Sequence, residues 1–65
     1  MLAPGQRVHA PYPLTVYGRV VHAGQCGVII RKYPAMDGTW FYDVLWDWSH
    51  IIQPVREDEI EDDSR

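Results

Sequence analysis

Apolar and polar residues alternate along this chain in short stretches, and the period is that of strands. In Gln6-Arg7-Val8-His9-Ala10, Val8 and Ala10 fall on one face, as in a half-buried strand. Residues 16–22 form a second β-branched run interrupted by Gly18, and Val28-Ile29-Ile30-Arg31-Lys32-Tyr33 a third. The clearest strand is residues 39–46, where alternation puts Trp40, Tyr42, Val44 and Trp46 on one face and Thr39, Phe41, Asp43, Leu45 and Asp47 on the other. A last run covers Ile51-Ile52-Gln53-Pro54-Val55. Pro54 has no N–H for a ladder, so this strand lies on an edge or ends there.

Helix is disfavoured throughout. Five prolines and five glycines cut the chain into short pieces and leave few windows of eleven residues in which a helix could run. The breaks also place the turns: Pro34-Ala35-Met36-Asp37-Gly38 opens on proline and closes on Asp-Gly, a hairpin signal, and Asp47-Trp48-Ser49-His50 forms the next turn. Residues 11–15 read as an extended, exposed connection carrying Tyr12, because Pro11 and Pro13 each restrict themselves and their predecessors. Short strands at this spacing predict an all-β fold, a small, five-stranded, strongly bent antiparallel barrel over residues 1–60. Closure of the sheet protects edges that otherwise invite aggregation.

The 65 residues allow one domain. Below roughly 70–80 residues a core is marginal without staples, and Cys26, the one cysteine, forms no internal disulfide. That excludes a disulfide-stapled secreted module and indicates a reducing compartment. The opening Met1-Leu2-Ala3-Pro4-Gly5-Gln6 has neither the basic nor the apolar region of a secretory signal. The longest aliphatic run, Val28-Ile29-Ile30, is far short of the roughly 20 residues that cross a bilayer. The expectation is a soluble cytoplasmic protein with no membrane association.

Charge is divided unevenly. Residues 1–56 carry five bases and three acids, whereas residues 57–65 carry six acids and only Arg65. With Ile60 as its one apolar residue, that terminal run predicts a flexible acidic tail over residues 61–65.

Four pieces of the chain resemble the signposts of SH3-like barrels of the KOW and Tudor type: Gly5-Gln6-Arg7-Val8, Gly24-Gln25-Cys26-Gly27-Val28-Ile29, Tyr42-Asp43-Val44-Leu45-Trp46-Asp47 and Val55-Arg56-Glu57-Asp58-Glu59-Ile60. The resemblance implies that the paired glycines make the bend into the second strand, that the Tyr-x-Val strand crosses the core, and that the valine and isoleucine close the barrel with a short helical turn. In Tudor domains an aromatic cage for methylated side chains comes from the loops. Trp40, Trp48, Tyr12 and Asp47 would be its walls and counter-charge here.

So small a barrel cannot enclose all of its large aromatics, and exposed aromatic clusters mark interaction surfaces. The expected binding residues are Tyr12, Trp40, Phe41, Asp47 and Trp48, and the expected function is a non-enzymatic module that binds a larger protein partner. An accessory nucleic-acid-binding role is the alternative, with Arg7, Arg31 and Lys32 following the phosphates beside the same aromatics. His9, His22, His50 and Cys26 are potential metal donors, but they form no Cys-x-x-Cys or His-x-x-x-His pair. No metal or cofactor is expected. Catalysis is not expected either, because Cys26 with His22 or His50 lacks an orienting third group. The small core and the proline-ended strand make homo-oligomers a further expectation.

Overall fold

A computed structural model of the chain describes residues 2–16, 19–49 and 52–63. The strands are β1 (Arg7–His9), β2 (Leu14–Val16), β3 (Arg19–Val21), β4 (Cys26–Pro34), β5 (Trp40–Trp46), β6 (Ile52–Arg56) and β7 (Glu61–Asp62), with one 3-10 turn, Glu57–Glu59, between the last two. The fold is all-β. Five strands form one antiparallel sheet in the order β6-β5-β4-β1-β7, and β2 and β3 form a separate hairpin. Among the described residues the sheet is open, since β6 and β7 do not pair. No helix among them is long and apolar enough to cross a membrane.

The centre of the sheet follows the alternation. Tyr42, Val44 and Trp46 of β5 are fully buried, with Ile29 of β4, Val55 of β6 and Val8 of β1 beside them. Leu14 and Val21 of the hairpin, with Ala10 and Ile60, complete the core. Removing these side chains from water supplies the main stabilisation. Gly27 lets β4 and β5 approach this closely, because a Cβ there would sit 2.7 Å from the Leu45 carbonyl oxygen and 2.8 Å from Val44 Cγ1. A bulge between Ile29 and Arg31 keeps Ile29 inside while Ile30 turns outward. Between β4 and β5, Gly38 takes a φ of +88°, and its N–H donates to Ala35 O at 3.1 Å. That is the expected Asp-Gly turn.

β6 lies on the sheet's edge, where Pro54 placed it. Pro54 offers no donor to a further strand, and the Arg56 N–H donates to Glu59 Oε1 at 2.8 Å instead of to another chain. The edge is thereby blunted.

Three expectations need correction. Residues 16–22 are not one strand: β2 and β3 pair as a hairpin with Val16 opposite Arg19, around positions 17 and 18, which lie outside the described residues. Residues 11–15 are not wholly an exposed connection, because Leu14 and Thr15 belong to β2 and Leu14 is buried. The extended backbone already suits a strand, and pairing with β3 lets Leu14 enter the core. Residues 61–63 are not a free tail. Glu61 and Asp62 pair with His9 and Val8, and the Asp63 N–H donates to Arg7 O at 2.9 Å. Buried Ile60 anchors the segment, and His9 gives its acids a partner. Ser64 and Arg65 lie outside the described residues.

Candidate functional site

A pocket of about 390 Å³ opens where β5 begins, walled by Gly38, Thr39 and Trp40 on one side and Arg56, Glu57 and Asp58 on the other. Each wall is held by a specific contact. Trp40 sits opposite Pro34 of β4 and packs half-buried against the core. The ammonium of Lys32 lies 4.6 Å from its ring centroid, a cation–π contact. Asp37 Oδ1 accepts the Thr39 N–H at 3.1 Å and the Thr39 hydroxyl at 2.7 Å. These bonds fix the loop and hold the Asp37 carboxyl below the usual carboxylate range.

The opposite wall is tied to the core. The buried Tyr42 hydroxyl donates to Glu57 Oε1 at 3.0 Å. Burial first, and then the neighbouring Glu57 carboxylate, push the Tyr42 phenol up to about 12. The Tyr12 hydroxyl donates to Asp58 O at 2.9 Å and brings that half-exposed ring against the same turn. Tyr12 and Trp40, from distant parts of the chain, therefore flank one 3-10 turn.

The other expected binding residues lie elsewhere. Trp40 and Trp46 bound β5, and six residue steps span about 20 Å. Asp47 and Trp48 are thus at the far end of the sheet from the pocket. There Asp47 receives two hydrogen bonds from Arg7, Nη1 to Oδ1 at 2.9 Å and Nη2 to Oδ2 at 2.6 Å. The bidentate pair holds the Asp47 carboxyl below its ordinary value and raises the Arg7 guanidinium. Trp48 follows in the turn and is 45% exposed. Phe41 lies on the outer face, its ring stacked on Tyr33 at 5.9 Å. The structure thus splits the five residues over three places. Tyr12 and Trp40 both reach the Glu57–Glu59 turn, but a cage that also uses Asp47 and Trp48 is not assembled.

The three expected nucleic-acid contacts are each engaged within the protein. Arg7 binds Asp47, Arg31 lies 3.3 Å from Asp43 and over the Tyr33 ring, and Lys32 covers Trp40. The pocket is lined by two carboxylates, Glu57 and Asp58, beside the one guanidinium of Arg56.

Sequence reasoning missed Arg56, Glu57 and Asp58 as pocket walls. A signal existed in Arg56 followed three positions later by Glu59, whose carboxylate caps the Arg56 N–H and shapes the turn. Asp58 was hidden inside an acid run that resembled a tail.

Cys26 is partly buried, and its Sγ donates to Asp63 Oδ2 at 3.4 Å. Burial and then Asp63 push the thiol up, which suppresses the nucleophilic thiolate. His22 is exposed, and His50 lies outside the described residues. Among the described residues no group of three His, Cys, Asp or Glu side chains is placed to hold a metal ion. No family model, no curated protein and no solved structure matches the chain.

Proposed function

We propose that this chain is a non-enzymatic protein-interaction module, built on an SH3-like plan of the KOW and Tudor type, that docks a larger protein against the Trp40–Tyr12 face. The observation that carries the reading is the pocket between Trp40 and the Glu57–Glu59 turn. It has the size of a small recognition pocket. Its walls are fixed before any partner arrives, so docking orders little and retains more of its contact energy. A half-buried tryptophan on such a wall is the usual kind of interface anchor.

The SH3-like plan is supported by the five-stranded antiparallel sheet, the packed hairpin and the 3-10 turn ahead of the last strand. A protein partner is favoured over nucleic acid by charge. Arg7, Arg31 and Lys32 are engaged internally, and carboxylates at the pocket rim repel phosphates.

The test is affinity capture from native extract with nuclease present, at low and high salt, using the wild type and Asp58→Trp. Asp58 is exposed, so the substitution fills the pocket mouth without touching the core. A discrete protein retained by the wild type and lost from the variant, with unchanged thermal unfolding, is the expected result. Capture that disappears with nuclease would replace this reading by the nucleic-acid one.

A further inference from the structure

We propose that the outer edge of β1 is a second binding site, one that recognises an extended acidic segment with carboxylates two residues apart, and that the chain's own residues 61–63 are its resident ligand. The inference stands apart from the Trp40 pocket, because it rests on contacts at the other edge of the sheet.

The resident segment shows what the site reads. Its backbone adds a strand, with His9 opposite Glu61 and Val8 opposite Asp62, and the Asp63 N–H reaches Arg7 O at 2.9 Å. Side chains at alternate positions share a face, so Glu61 and Asp63 both meet β1's outer residues. His9 lies between them: Nε2 is 3.4 Å from Glu61 Oε2, and Nδ1 is 3.2 Å from Asp63 Oδ1. Cys26 Sγ donates to the other Asp63 oxygen at 3.4 Å. The Arg7 guanidinium adds favourable charge towards Asp63. Backbone pairing supplies sequence-independent affinity, while His9, Cys26 and Arg7 select carboxylates at the first and third positions. This is strand addition with side-chain readout.

The occupancy is exchangeable on physical grounds. β7 is two residues long, and the Glu61 side chain is 63% exposed. The pair with exposed Glu61 contributes little, and a strand of two residues has few backbone bonds to open. A competing acidic strand from another molecule would meet the same groups, with its apparent affinity reduced by the fraction of time the resident strand is in place.

The probe is a synthetic peptide of residues 59–65, Glu-Ile-Glu-Asp-Asp-Ser-Arg, titrated into full-length ¹⁵N-labelled protein, with its Gln/Asn counterpart as control. The wild type is compared with Glu61→Gln/Asp63→Asn, which weakens the resident strand in the intact chain. The acidic peptide should shift the amides of residues 7–9 and bind the double variant roughly tenfold more tightly than the wild type. Adding His9→Gln should remove that gain. Equal binding of the neutral peptide, or no shift of residues 7–9 in the double variant, would overturn the proposal. Hydrogen exchange of the wild type gives an independent check should the variant not fold. The Asp63 amide should exchange at least about 100-fold faster than the amides of the β4–β5 ladder, and equal protection would also overturn it. The Asp58→Trp capture experiment does not touch β1, so the two readings fail separately.

Discussion

The two edges of the five-stranded sheet are closed in opposite ways. On β6 the protection is built into the strand: Pro54 removes a donor, and Glu59 takes the Arg56 N–H at 2.8 Å. On β1 it is a separate piece of chain, two residues of β7 held by His9 between two carboxylates. A proline cannot be displaced, whereas a short acidic strand can. The difference shows how one small sheet can resist edge-to-edge aggregation on one side and keep an exchangeable site on the other.

The same acidic segment links this edge to the Trp40 pocket. Glu57 and Asp58 wall the pocket, Glu59 blunts β6, Ile60 enters the core, and residues 61–63 cover β1. Its one buried apolar residue anchors a run of polar contacts, while the centre of the sheet is held by apolar packing. Substitutions should therefore fall in a graded order.

Gly27→Val should cost the most, about 3 kcal/mol or more by urea unfolding, because the new side chain collides with Leu45 backbone and Val44. A tolerated valine would mean that β4 and β5 are not so closely apposed. Ile60→Ala should cost about 2–3 kcal/mol as a cavity, and in the same sample the protection of β7 amides should collapse. Retained protection would show that the ion pairs alone hold β7.

Tyr42 tests the tie between pocket and core through pH. Its phenol is held protonated up to about 12 in the folded protein against an ordinary 10. The contribution is full below pH 10 and is lost as pH rises towards 12, a fall of about 2 kcal/mol from this group. Tyr42→Phe should remove that part of the alkaline slope, and an identical slope in both proteins would discount the Glu57 contact. His9→Gln should change global stability by about 1 kcal/mol or less, yet accelerate exchange at Asp63. Trp48→Ala, at an exposed turn, should stay within about 0.5 kcal/mol.

Much of the sheet was legible because burial follows period two. Tyr42, Val44 and Trp46 are inside, Phe41 and Leu45 are only partly covered on the other face, and Pro54 marks an edge strand. The hairpin boundary at Leu14 was not legible, since one buried leucine directly after Pro13 carries no periodic signal. The acid run misled for a different reason. Composition reports the entropy cost of ordering a segment but not the partner that offsets it, here His9, more than fifty positions away in sequence.

The candidate site was legible only in part. Tyr12 and Trp40 were both identifiable as candidate aromatics, but which aromatics share a surface depends on tertiary contacts such as Tyr12 to Asp58. Asp47 was marked as a counter-charge for a ligand and instead binds Arg7, forty positions away. Long-range pairs of this kind leave no local pattern.

Partner docking at the Trp40 pocket can be read out by site-specific photo-crosslinking. A benzophenone side chain would be placed at Thr39 on the pocket rim and, separately, at Ile52, which is half-exposed on the outer face of β6. The partner captured from native extract should crosslink from Thr39 and not from Ile52. A crosslink from Ile52 with none from Thr39 would contradict it and move the interaction surface to the outer face of the sheet.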